Sequence, residues 1–194
     1  VREIARRWDL PVANKPSSQD ICFVGPEGYR VFLARHYPWA LRPGPIVDQE
    51  GRELGRHKGI GAYTLGQRRG LGVAAEEPLY VIGIDAEDNT IVVGSREDTF
   101  IRRLVIDRVH WVADDMPRGE SCRLMVKTRY QRAEAPADVQ LNHEGVLVDF
   151  VRPHPIAAPG QAAVFYNGDV VVGGGVIDRS IPTLVCNVRQ KKKR

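Results

Sequence analysis

The sequence predicts a mainly β protein with some α, in which a small α+β domain precedes an antiparallel β-barrel. Two observations carry this expectation. From Phe100 onward, short apolar-alternating segments recur at residues 104–109, 122–130, 146–151, 162–166 and 170–176. Turn residues separate them, a spacing that fits an antiparallel barrel or sandwich rather than a parallel sheet with helical crossovers. Before Phe100, helical periodicity is confined to residues 1–9 and 29–37, and hairpin-like patterns fill the interval that follows.

In chain order, Arg2, Arg6 and Arg7 interleave with Ile4, Ala5 and Trp8 as the end of an amphipathic helix, and Pro11 forces an extended link after it. The chain opens inside that pattern with neither a cap nor an initiator Met, which reads as a truncation. Cys22 sits where the polar stretch Pro16-Ser17-Ser18-Gln19-Asp20 meets the apolar run Ile21-Cys22-Phe23-Val24. Tyr29, Phe32, Leu33 and His36 recur at helical spacing, and Pro38 ends the helix they predict. Ile46-Val47-Asp48 and Glu53-Leu54-Gly55 flank a Gln49-Glu50-Gly51 turn as two short paired strands. Residues 63–72 hold Arg68 and Arg69 among Gly66, Gly70 and Gly72, too glycine-rich for a regular helix, and predict an ordered loop. Residues 79–84 and 90–93 form a hairpin around the polar cluster 85–89. Further on, Pro159-Gly160 has the order of a type II turn, and Gly173-Gly174-Gly175 marks a bulge or a close backbone approach.

With 194 residues, 43% of them hydrophobic and 27% charged, the chain can bury the core of one or two domains, which excludes a disordered protein. A net charge of +4 suits a polyanionic partner without requiring one. Part of it resides in Lys191-Lys192-Lys193-Arg194, read as a solvated, disordered tail. Cys22, Cys122 and Cys186 are too widely spaced for a disulfide framework or a zinc site and fit a reducing cytoplasm. No apolar stretch approaches the roughly 20 residues of a membrane span, so no membrane partner is expected. The scattered histidines lack metal-ligand spacing, and no metal site is expected.

Cys22 is the candidate for covalent chemistry, because it adjoins polar loop residues where a thiolate is reachable; its plain alternative is a small buried hydrophobe. Cys122 and Cys186 lie in apolar strand-like runs and read as structural. Period-two alternation over residues 122–131 puts Arg123, Lys127, Arg129 and Gln131 on one face and Cys122, Leu124, Val126 and Tyr130 on the other. That basic row can neutralise phosphates, or it can be an ordinary solvated sheet face; Tyr130 can stack on a base if it escapes the core. Arg68 and Arg69 offer planar donor forks among glycines that permit a phosphate to approach. The glycines match no Walker or dinucleotide fingerprint, so no nucleotide site is read into the loop.

Six segments occur in order: Ser18-Gln19-Asp20-Ile21-Cys22-Phe23, Tyr63-Thr64-Leu65-Gly66-Gln67-Arg68-Arg69-Gly70-Leu71-Gly72, Val126-Lys127-Thr128-Arg129-Tyr130, Pro159-Gly160-Gln161, Val164-Phe165-Tyr166-Asn167-Gly168 and Gly173-Gly174-Gly175-Val176-Ile177. Together they resemble the tRNA-specific 2-thiouridylase (MnmA) family, over residues 1–182. The resemblance implies an ATP-dependent, magnesium-requiring sulfurtransferase that converts the wobble uridine of tRNAs for Lys, Glu and Gln to 2-thiouridine. In that chemistry the C2 oxygen is adenylated, and a cysteine persulfide, loaded by a sulfur-relay protein or a cysteine desulfurase, supplies the sulfur. Cys22 occupies the persulfide position, and Arg129, Tyr130 and Gln161 match tRNA-contacting positions, with Lys127, Arg68 and Arg69 as further candidates. The implied organisation is residues 1–24 as the tail of an α/β ATP-binding domain, 25–97 as a small central domain, 98–182 as an elongation-factor-like barrel that binds tRNA, and 183–194 as the tail.

The family's Ser-Gly-Gly-Val-Asp-Ser phosphate loop, and the cysteine and aspartate that partner it, have no counterpart here. The chain alone is therefore expected to be inactive and to bind neither ATP nor magnesium. Gln131-Arg132 reverses the family's usual order of these two residue types. The alternative reading is a noncatalytic RNA-binding β-barrel module in which Cys22 is incidental.

Overall fold

In the computed structural model, which describes residues 1–15, 24–112, 121–142 and 145–182, ten strands form two β systems. The chain divides into two compact units, Val1–Pro38 and Trp39–Arg194. In the first unit, α1 (Arg2–Arg7) and α2 (Tyr29–His36) fall within the two helically periodic stretches. The first helix gives out at Asp9, whose φ of 48° leaves the helical region. The second follows Gly28, whose φ of 86° suits a residue without a Cβ. Arg35 on α2 reaches back to Glu27 at 2.6 Å.

The second unit begins with a four-stranded sheet of β1 (Gly44–Val47), β2 (Glu53–His57), β3 (Tyr80–Asp85) and β4 (Thr90–Gly94), in the order β2-β1-β4-β3. Both expected hairpins are present, and β1 runs parallel to β4, which makes the sheet mixed. An aspartate shapes each turn. Asp48 Oδ1 accepts the N–H groups of Glu50 and Arg52 at 3.0 and 2.9 Å, and Asp85 Oδ1 accepts those of Glu87 and Asp88 at 3.0 and 3.1 Å. Ile46, Val81, Ile91 and Val93, none more than 1% exposed, form the sheet's core with Ile60 and Leu71.

The remainder is a closed barrel of β5 (Phe100–Trp111), β6 (Cys122–Lys127), β7 (Ala135–Asn142), β8 (Gly145–Pro155), β9 (Ala162–Asn167) and β10 (Val170–Pro182), ordered β10-β5-β8-β7-β6-β9. Every neighbouring pair is antiparallel, and closure leaves no free edge. Inward positions recur every second residue, as Leu124 and Val126, Ala137 and Val139, Val146, Val148 and Phe150, and Ala163 and Phe165. The Gly173-Gly174-Gly175 run lies where β10 shifts register against β5, and a Cβ on Gly174 would lie 2.7 Å from Ala163 O. Bulge and close approach therefore coincide there.

Two expectations need correction. Strand β7 is absent from the expected set although Ala137, Val139 and Leu141 alternate with Asp138, Gln140 and Asn142, because Pro136 argues against a ladder position. Pro136 is tolerated since β7 pairs with β8 only from Ala137 onward. Strand β6 ends at Lys127 instead of running to Gln131, because Thr128 to Arg132 leave the ladder and close a turn with Arg132 N–H donating to Arg129 C=O at 3.2 Å.

Candidate nucleic-acid interface

Cys22 lies outside the described residues, as does Cys186. Cys122 is half-buried on β6 against the barrel core, where burial first and the Asp138 carboxylate second push its thiol up, away from nucleophilic use at neutral pH.

Lys127, Arg129, Tyr130 and Gln161 gather at one end of the barrel, where β6 and β8 finish and β9 begins. Phase dictates the first step: counting inward positions as Cys122, Leu124 and Val126 brings Thr128 to the interior, and it is 3% exposed. A buried hydroxyl needs a partner. Thr128 Oγ1 shares a 3.0 Å hydrogen bond with His154 Nε2 on β8, and the imidazole, itself 5% exposed, stacks on core Phe150 with ring centroids 4.1 Å apart. Burial, then the charges of Arg132 and Arg129, hold this imidazole down to about 4, so it is neutral at pH 7. Thr128 and His154 thus pin the root of the turn to the core.

Beyond Thr128 the turn presents Arg129 half-buried, Tyr130 95% exposed, Gln131 exposed and Arg132 half-buried. Tyr130 therefore does not share the inward face of Leu124 and Val126; the end of the strand at Lys127 turns it fully outward. Arg129 Nε donates to Gln161 Oε1 at 3.4 Å. Gln161 is itself held by a type II turn, in which its N–H reaches Ala158 C=O at 3.3 Å with Gly160 at φ 85°, and by Ile177 N–H donating to its C=O at 2.8 Å. The structure thus brings Arg129 and Gln161 together across 32 residues of sequence and leaves an aromatic ring free beside them.

The basic row on β6 is smaller than its residue types imply. Arg123 is engaged by Asp138, with Nε and Nη2 donating to the two carboxylate oxygens at 2.6 and 3.0 Å, and Arg103 on β5 by Asp149 at 2.8 Å. Lys127 is half-buried at the end of the strand. Among the described residues, Arg129 and Arg132 form no ion pair.

Arg68 and Arg69 are exposed on an ordered loop whose Leu65 packs against both cores. A Cβ on Gly66 would touch Ile156 Cγ2 at 4.0 Å, so this loop lies against the one that carries Gln161. Its amides serve the fold: Gly66 N–H donates to Val81 C=O at 2.7 Å and Gln67 N–H to Thr64 C=O at 3.0 Å. Gly66 thus serves a turn, with φ at 81°. A shallow depression of about 350 Å³ adjoins Arg68, Val73, Glu76, Glu77 and Leu79. Among the described residues no group of His, Cys, Asp and Glu is placed to hold a metal, and no helix is long and apolar enough to cross a membrane.

Because the folded-state pKa of His154 lies near 4, below the ordinary 6.5, the unfolded chain binds more protons in that window. Stability is expected to be full above about pH 6.5 and to fall towards pH 4 by at most about 3 kcal/mol. Urea unfolding across this range checks it, and His154→Gln should flatten the slope; an unchanged slope would place the proton uptake elsewhere.

Thr128, His154 and Arg132 are absent from the candidates read from sequence. For Thr128 the signal was present, since a polar residue at an inward strand position demands a buried partner. For Arg132 the signal was the reversed Gln131-Arg132 order, which assigns it no role by itself, and His154 carries none, because its role depends on which strand ends meet.

Residues 30–95 match the family model for a tRNA methyl transferase PRC-barrel domain, and residues 101–177 that for an aminomethyltransferase beta-barrel domain. The chain is 47% identical over 180 residues to the tRNA-specific 2-thiouridylase MnmA of Chloroflexus aggregans, covering 92% of this chain and 50% of that protein. Against its namesake in Heliobacterium modesticaldum the identity is 42% over 197 residues, covering 100% of this chain and 51% of the relative. Against that of a Synechococcus strain it is 44% over 183 residues, covering 93% and 49%. The chain spans about half the length of the curated relatives it matches.

Proposed function

Since this chain belongs to the tRNA-specific 2-thiouridylase family, we propose that it is the part of a cytoplasmic, ATP-dependent tRNA sulfurtransferase that grips tRNA at the barrel end and donates sulfur from a persulfide on Cys22. The substrate is the wobble uridine of tRNAs for Lys, Glu and Gln. Its C2 oxygen, once adenylated, leaves as AMP while the terminal sulfur of the persulfide bonds to C2. A second thiol then attacks Cys22 Sγ, which frees the thiocarbonyl and leaves a disulfide. Adenylation, with its ATP and magnesium, and the second thiol belong to the half of the relatives that this chain does not span. A sulfur-relay protein or a cysteine desulfurase reloads Cys22.

The observation that carries the tRNA reading is the pairing of a fully exposed Tyr130 with an Arg129 that lacks a carboxylate partner among the described residues and is oriented by Gln161. An exposed ring contributes little to folding, so its presence at a rigid, cationic corner favours stacking on a base. Tyr130→Ala is expected to weaken tRNA binding roughly tenfold while leaving the melting temperature unchanged. Fluorescence anisotropy with labelled tRNA measures this, and an unaltered affinity would remove Tyr130 from the interface.

A further inference from the structure

The hydrogen bond from Arg132 N–H to Arg129 C=O closes a tight turn, so the residues at its two ends lie side by side while the two between them face solvent. Exposure follows that geometry: Tyr130 and Gln131 are exposed, and Arg129 and Arg132 are half-buried. Two like charges held at the ends of one turn, partly out of water, raise each other's energy unless an anion lies between them. Burial and the Arg129 charge indeed lower the Arg132 pKa. No protein carboxylate among the described residues pairs with either arginine, although Arg103 and Arg123 on the same barrel each have one.

We propose that Arg129 and Arg132 together form a seat for a single phosphodiester of the bound RNA, with Gln161 orienting the Arg129 guanidinium and His154 bracing the root of the turn through Thr128. The proposal rests on the tRNA reading above and assigns to Arg132 a contact that neither the resemblance nor the relatives supply. The chemistry is specific. Gln161 Oε1 accepts a hydrogen bond from Arg129 Nε–H, which leaves the terminal N–H groups of that guanidinium for the ligand, and Arg132 brings a second fork. A phosphodiester carries one negative charge on two free oxygens, so one group can accept from both arginines. The His154 imidazole reaches this turn through its hydrogen bond with Thr128. The titratable and charged groups acting on it are these same two arginines.

The test is the salt dependence of tRNA affinity for the 194-residue chain and three variants, Arg129→Ala, Arg132→Ala and the double variant. Each phosphate contact contributes about 0.7 to 0.9 to the slope of log affinity against log salt. Each single variant should bind roughly tenfold more weakly, with a slope shallower by about one contact, and the double variant should be no shallower than either single. Arg132→Lys should keep the slope but not the full affinity, an outcome that a purely structural role would not produce. Thermal melting checks the fold of each variant, and Arg132→Gln replaces Arg132→Ala if the latter melts early. An unchanged slope in the position-132 variant, or a double variant that loses two contacts, overturns the shared seat while leaving the tRNA reading intact. Inorganic phosphate competing as strongly as tRNA would assign the corner to free anions and overturn it too. Absence of salt-sensitive tRNA binding by the natural chain would instead sink the tRNA reading, and the seat with it.

Discussion

Replacing Cys22 with serine in the full-length enzyme is expected to abolish 2-thiouridine formation, by at least roughly a thousandfold, while leaving tRNA affinity within about twofold. A hydroxyl cannot hold a transferable sulfur atom, so the variant loses the reacting group itself and not merely a contact. No described cysteine can stand in for it: Cys122 is half-buried against the barrel core with its thiol pushed up by burial. Binding should survive because the proposed grip comes from Arg129, Tyr130 and Gln161 on the barrel, remote in sequence from residue 22. Nucleoside analysis of tRNA incubated with enzyme, ATP, magnesium and a sulfur source measures the first quantity, and anisotropy the second. Thiolation that persists would remove Cys22 from the chemistry. A natural enzyme that binds tRNA but never thiolates it, despite loaded sulfur, would favour the noncatalytic RNA-binding module.

How far the sequence reveals this site depends on the range of the interaction that makes each part. Period two gives the inward set of β6 directly, since Leu124 and Val126 are buried as alternation requires. The Pro159-Gly160 turn is equally local, because proline fixes one φ and glycine accepts the other. What alternation cannot supply is where a strand stops. Its extension past Lys127 puts Tyr130 inside, whereas the turn closed by Arg132 puts it outside. Nor can residue type disclose pairing: Arg123 and Arg129 look alike in the sequence, yet register places Asp138 opposite Arg123, while Arg129 has no ion pair among the described residues. The neutral His154 depends on two segments meeting, β8 and the turn after β6, which no local pattern encodes.

The largest stability effect is expected from Phe165→Ala, because the side chain is 0% exposed and stands in the barrel interior with Trp111, their ring centroids 5.2 Å apart. Its position on β9 faces Val126 on β6 and Gly173 on β10, so one ring fills space where three strands converge. Gly173 can offer nothing in its place, since even a Cβ there would strike the Trp111 ring. A closed barrel cannot collapse around the gap without breaking strand pairs, which keeps most of the cavity open. The cost should be about 3 to 5 kcal/mol, a fall in melting temperature of roughly 10 °C. Differential scanning calorimetry reads it, and a shift under about 3 °C would mean that the interior is not packed around this ring. Thr128 and His154 clamp the turn by a hydrogen bond and a stack on Phe150, which shares the barrel core with Phe165. At 25 °C the folded variant should bind tRNA within about threefold of the natural chain, since neither the hydrogen bond nor the stack that holds the turn includes the Phe165 ring. A variant that loses stability but keeps its grip would show that the barrel interior supports the site as a scaffold, while the turn sets its affinity.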